Sequence, residues 1–165
     1  MHSAGVLADA LLPNQSQGGL QRVWAPKAQA AWNLHEAGSE GELCHFVLFS
    51  SVAALLGGVG QANYAAANAC VDELARLRQE QGLAGTSVQW GAWGGSGMAV
   101  ASGVLGQLER EGMGAITREQ GACALELALG CFGGCAMVPV RWQLLLNSVI
   151  EHYFEQGGFD FFEVF

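Results

Sequence analysis

Three short apolar runs most constrain what this chain can become: His45–Phe49 (HFVLF), Thr86–Trp90 (TSVQW) and Ala136–Trp142 (AMVPVRW). Stretches long enough for helices separate them, at about 62–81 and 117–130. The first run lacks polar alternation, which suits a strand covered on both faces. Strand, long helix, strand, helix, strand is the alternation that builds a parallel sheet with helices on both faces, an α/β arrangement. Pro139 has no N–H to give a neighbour and puts the third strand at an edge. Thr117 and Gln120 match a capping box that starts the second helix. Ahead of the first strand, Leu20, Val23, Trp24, Ala28, Ala31 and Leu34 recur at three- and four-residue steps. They predict a helix over 18–37, with a kink where Pro26 interrupts it. The glycine-rich stretch GAWGGSGMA (91–99) reads as a mobile loop over a site, and an amphipathic segment at 143–156 precedes the tail GGFDFFEVF.

Composition removes several function classes. The chain is 51% hydrophobic and 13% charged, too apolar for a disordered tail. A formal charge of −8 repels phosphate backbones, and no basic patch with interleaved aromatics is present, so nucleic acid is not an expected partner. No run of eighteen apolar residues spans a membrane, and the N-terminus has no basic region of a signal peptide. Five cysteines, an odd number without paired metal spacing, read as free thiols in a reducing, cytoplasm-like compartment, with no metal site expected. Cys70 and Cys123 fall in predicted helices and are expected to pack as small hydrophobes. No GxGxxG follows an early strand, so the nucleotide-phosphate loop of such a fold is missing from this sequence.

Four residues are candidates for chemistry. Lys27 falls in line with the apolar positions of its helix, and a lysine aimed at a core is costly unless its charge finds partners. On spacing alone, the simpler reading is that it snorkels to solvent beside Pro26. Tyr64 and Asn68, four residues apart near the start of the long helix, share one face. The opposite stripe, Ala62, Ala66, Ala69, Leu74 and Leu77, reads as the packing side. Ser51 ends the first strand at the rim where open α/β sheets bind ligands, though a turn or capping serine would look the same.

In the order Lys27, Ser51, Tyr64, Asn68, these residues resemble a known arrangement. Residues 46–99, FVLFSSVAALLGGVGQANYAAANACVDELARLRQEQGLAGTSVQWGAWGGSGMA, are similar to the active-site region of polyketide synthase ketoreductases, members of the extended short-chain dehydrogenase family. HSAGVLAD and WAPKAQAAWNLHE resemble the family's HxAGVLxD and PKxxGAxxLHE segments, and TREQGACALELAL its helix before the last strand. The resemblance runs from residue 2 to about 142. It implies the C-terminal, catalytic part of a Rossmann-like domain over 1–142, with 143–165 as an extension and the N-terminal nucleotide-binding strands absent.

The resemblance also implies the reaction. A β-ketoacyl thioester on the phosphopantetheine of an acyl carrier protein would be reduced with NADPH to the β-hydroxyacyl thioester. Tyr64 would be the general acid. Lys27 would be the cation that assists it and bonds the nicotinamide ribose. Ser51 would be the donor that orients the ketone oxygen, and Asn68 the residue that completes the tetrad. Ser50 would join Lys27 and Tyr64 on the cofactor side. The family's stereocontrol positions fall on Asp9, Leu56 and Asn63. The LDD-type motif reads Leu7-Ala8-Asp9, position 56 lacks the tryptophan of the opposite class, and Asn63 precedes the tyrosine. Together they favour the B-type, D-hydroxyl outcome. The remainder of the ketoreductase domain and other synthase domains are the expected partners, and the chain by itself is expected to be an inactive fragment. Two alternatives stay open: the ketoreductase region of a fatty acid synthase, and a non-catalytic half-domain serving as an interaction surface.

Overall fold

The structure, a computed structural model, describes residues 1–39, 42–95, 100, 103–130 and 134–155. Residues 96–99 of the glycine-rich loop, Cys131 and the aromatic tail lie outside the described residues.

Three parallel strands form one sheet in the order β1-β2-β3: β1 Val47–Ser51, β2 Thr86–Trp90 and β3 Cys135–Met137. Val47 pairs with Thr86 and Ser51 with Trp90, so β1 and β2 run in full register. β1 begins two residues later than its apolar run and takes in Ser50 and Ser51. β3 is short, ending before Pro139, and Val140 bridges back to Met113 instead. The outer edge of β1 meets His2, whose backbone exchanges bonds of 2.8 and 2.9 Å with Val47 and Phe49.

The helix expected over 18–37 is three pieces: α1 (Gln17–Trp24), a π-helical turn (Ala25–Gln29) and α2 (Ala30–Ala37). Pro26 has no N–H for the α-helical ladder, and the chain absorbs that loss in a widened turn without breaking. Ser16 caps α1, its Oγ accepting from the Gly19 N–H at 3.0 Å.

A single short turn, α3 (Ala53–Leu56), follows β1, and α4 (Ala62–Glu80) then returns along the sheet. Side chains alternate faces along a strand, and the contacts follow that alternation. Leu48 packs with Val71, Leu74 and Ala75 of α4, whereas Val88 and Trp90 pack with Ala124 and Ala128 of α6 (Arg118–Gly130). The two long helices therefore cover opposite faces. α5 (Leu105–Arg110) lies between them in sequence, and α7 (Trp142–Glu155) follows β3. The expected capping box closes α6: Thr117 N donates to Gln120 Oε1 at 2.9 Å, and Gln120 N to Thr117 Oγ1 at 3.2 Å.

Two expectations about packing are corrected. The buried residues of α4 are Asn63, Tyr64, Ala67, Asn68, Val71, Leu74, Ala75 and Arg78; of the expected stripe Leu74 is buried and Leu77 packs on the core, while Ala62, Ala66 and Ala69 are exposed. The face that carries Tyr64 and Asn68 thus packs inward as well. Cys70 and Cys123 do not pack inward: both are exposed, on the outer sides of their helices.

Candidate active site

Lys27 sits inside the π-helical turn and is 3% exposed, so it does not snorkel. Its Nζ donates to the Phe49 carbonyl of β1 at 2.8 Å. The turn is held from behind by His2, whose Nε2–H donates to the Lys27 carbonyl at 3.1 Å. Burial lowers the His2 pKa, which keeps that imidazole neutral beside the ammonium. Phe49 thus gives its N–H to His2 and its carbonyl to Lys27. Burial also drops the Lys27 pKa from 10.5 to about 8, and the Asp72 carboxylate works against that fall.

Tyr64 lies in the first turn of α4, 7% exposed, in a cluster with Val23, Ala53 and Ala67 that Leu7, Ala8 and Trp24 flank. Burial pushes the phenol above its usual pKa, the Ser51 and Asn68 side chains pull it back, and the Asp9 charge adds to the rise. The phenol is therefore protonated at neutral pH, as a proton donor must be. α1 and the π-helical turn pack against α4, so Lys27 and Tyr64 occupy the same side of the sheet. Among the described residues, no hydrogen bond joins the ammonium to the phenol; Lys27 is engaged with Phe49 instead.

Asn68, one turn beyond Tyr64, is fully buried. Its Nδ2 donates to the Tyr64 carbonyl at 2.8 Å, and its Oδ1 has no partner. A buried amide oxygen left unpaired is costly and marks a place where another donor belongs. Ser50 faces α4 and donates from Oγ to the Asn68 carbonyl at 3.3 Å. Ser51, half-buried at the end of β1, accepts from the Ala53 N–H at 3.2 Å, in the role of a turn serine, while lying near the phenol.

The three stereocontrol candidates divide. Asn63 is buried and doubly engaged: Nδ2 donates to the Ala8 carbonyl at 2.8 Å, and Oδ1 accepts from the Tyr64 N–H at 2.7 Å. Asp9 accepts from Gln61 Nε2 at 3.0 Å, and Ala10 N donates to the Gly60 carbonyl at 2.9 Å. Gly60 turns there with φ +74, a conformation that glycine alone adopts without strain. These bonds tie the Leu7–Asp9 segment to the N-terminus of α4, beside Tyr64. Leu56 is not part of this packing; it is 54% exposed at the end of α3.

Sequence reasoning missed two residues. Asp72 continues the line Tyr64, Asn68, Asp72 down one face of α4 and accepts hydrogen bonds from Ser87 and Gln89 of β2. Its i, i+4 spacing from Asn68 was a visible signal. His2 carried no signal beyond its place in the HSAGVLAD segment.

The comparisons agree with the geometry. The family model described as KR domain matches residues 1–95. The spectinabilin polyketide synthase system protein NorB of Streptomyces orinoci is 43% identical over 145 residues, covering 86% of this chain and 7% of that protein. An A-type ketoreductase from a modular polyketide synthase superposes with a TM-score of 0.85 at 40% identity, over 89% of this chain and 31% of that one. The first ketoreductase of the tylosin polyketide synthase gives a TM-score of 0.84 at 39% identity, over 91% and 33%. The chain thus spans a small part of its synthase relative and about a third of each ketoreductase. From its three-stranded parallel sheet, its motifs and these likenesses together, the chain belongs to the ketoreductase (KR) domain family of polyketide synthases.

Proposed function

We propose that the chain forms the catalytic part of a ketoreductase domain, which reduces a β-ketoacyl thioester presented by an acyl carrier protein to the β-hydroxyacyl thioester. The observation that carries this reading is the buried Lys27 ammonium, held on the Phe49 carbonyl in the same layer as Tyr64 and Asn68. An ammonium has three N–H donors, and one is engaged among the described residues. The remaining donors suit the hydroxyls at the ribose end of a nicotinamide cofactor. NADPH, when bound, supplies the hydride. The diphosphate end would be held elsewhere, since this sequence contains no glycine fingerprint for it.

Tyr64 delivers the proton. As the ketone carbon becomes tetrahedral, negative charge grows on its oxygen, and a protonated phenol meets that charge directly. Ser51 orients the oxygen by donating its hydroxyl hydrogen. Lys27 stabilises the phenolate that remains, while Asn68 anchors the first turn of α4 on which Tyr64 rides. Ser50 acts from behind by fixing α4 to β1. The outer edge of β1 meets only His2 among the described residues, which leaves room for strands of a nucleotide-binding half and supports that half as a partner.

The same reading includes a B-type, D-hydroxyl outcome. It is supported by Asn63 and Asp9, which fix the Leu7–Asp9 segment beside the phenol, and by leucine at position 56. The A-type label of the similar structure belongs to that protein. The test is NADPH-dependent turnover of a β-ketoacyl thioester by the complete domain, followed by chiral separation of the product. Reduction to the D-hydroxyl is expected. An L-hydroxyl would overturn the stereochemical part, and absence of NADPH oxidation the reductase reading.

A further inference from the structure

Asp72 is the acidic group that the mechanism above leaves unused, and it is built into the sheet. It lies on the α4 face that carries Tyr64 and Asn68, eight residues after the first and four after the second, and that face looks onto β1 and β2. Ser87 Oγ donates to Oδ1, and Gln89 Nε2 donates to Oδ2 at 2.9 Å, so both oxygens are held by neutral donors. Neither donor neutralises the charge, and among the described residues no cation pairs with Asp72 directly. In a partly buried layer the field of a carboxylate reaches farther than it does in water.

Phe49, whose carbonyl holds the Lys27 ammonium, pairs in register with Val88, and Ser87 and Gln89 flank Val88, so the Asp72 carboxylate lies one strand over from Lys27 on the same side of the sheet. Around Lys27, the N-terminal segment supplies His2, whose imidazole is held neutral. α4 supplies Tyr64, which is protonated, and Asp72 itself. From α1, Arg22 is exposed and donates to the Leu7 carbonyl, and Asp9 acts on the phenol from the loop beside it. β1 supplies a neutral carbonyl. We propose that Asp72 is a positioning residue for the reduction: clamped by Ser87 and Gln89, it supplies the negative charge that faces the buried Lys27 ammonium from the neighbouring strand. The proposal rests on the reading of Lys27 as the cation of the reductase site. In that reading, an uncharged Lys27 neither stabilises the phenolate nor donates fully to a ribose.

The effect is read by titrating Lys27, the only lysine of this chain, through the ¹³Cε shift of labelled protein, with Lys27→Arg confirming the assignment. The native chain is expected to give a midpoint near 8. Asp72→Asn removes the charge at nearly constant shape, and Gln89 can turn its amide to accept from the new Nδ2. That variant should shift the midpoint down by roughly 0.5–1.5 units, the size of one charge several ångströms away at an effective dielectric constant of about 20. Asp72→Glu keeps the charge and should stay within about 0.3 unit of the native midpoint. An unmoved midpoint in Asp72→Asn, or an equal shift in Asp72→Glu, overturns the proposal. Should Asp72→Asn not fold, the native chain still decides: the Asp72 ¹³Cγ shift must inflect at the Lys27 midpoint, and a flat trace there overturns the proposal as well. No substrate is present in this titration, so a failure of the reductase reading, seen as absent turnover, remains distinguishable.

Discussion

Lys27 leaves water for a place where its charge meets one carbonyl at 2.8 Å and a carboxylate farther off, and burial draws its pKa from 10.5 to about 8. A base whose pKa falls on folding opposes folding while it is charged. The penalty is complete below the folded value of about 8 and fades as pH rises to 10.5, where the unfolded chain also loses the proton. The depression corresponds to about 3 kcal/mol. Lys27→Met should therefore raise the unfolding free energy at pH 7 by roughly 1–3 kcal/mol, after the lost bond to Phe49 is counted. The advantage should shrink between pH 8 and 10.5, as urea unfolding at several pH values would show. A constant gap across that range would contradict the account. In the sequence, Lys27 was visible as a charge in line with Val23 and Ala31, which are buried beside it; its partner carbonyl on β1, far off in sequence, was not.

α4 shows why its face was misread while its span was not. Its length followed from glycines near both ends and an unbroken helical composition, and it ends one residue from expectation. Its stripe did not follow, because alanine occurs all round the helix and contributes little contrast between faces. The burial of Tyr64, Asn68 and Arg78 then inverts the usual rule that polar groups face water. Arg78 is fully buried and still satisfied: its guanidinium stacks 3.9 Å above the Phe46 ring and donates to His35 Nδ1 and the Ala84 carbonyl. α6 gives a clearer element-scale test. A Cβ added at Gly121 would lie 2.1 Å from Trp93 Cη2, and Trp93 in turn packs on Trp90 with ring centroids 5.0 Å apart. Gly121→Ala must push the indole aside and should cost about 1–3 kcal/mol. The expected result is a lower urea midpoint with an unchanged m value and an altered near-ultraviolet tryptophan signal. A midpoint equal to the native one would mean that the contact yields freely.

The molecule as a whole was legible at the level of its alternation. Three apolar runs separated by two long helices became three parallel strands with those helices on opposite faces, because a parallel crossover requires an intervening element of that length. What the sequence left hidden was closure at the sheet's margins. β3 stops short of Pro139, and His2 extends the β1 edge through two backbone bonds that no side-chain pattern announces. Those margins locate the site. Lys27 reaches the Phe49 carbonyl of β1, Tyr64 stands at the start of α4, and Ser51 ends β1, so the proposed site gathers at the carboxyl ends of the strands. The central claim is that Tyr64 delivers the proton there. Tyr64→Phe removes the hydroxyl group and keeps the buried ring that packs with Val23 and Ala67, so the fold and NADPH binding should persist. NADPH oxidation with a β-ketoacyl thioester, measured in the complete domain at saturating substrate, should fall about 10²–10⁴-fold. Turnover within about threefold of the native domain, with cofactor binding intact, would contradict the account.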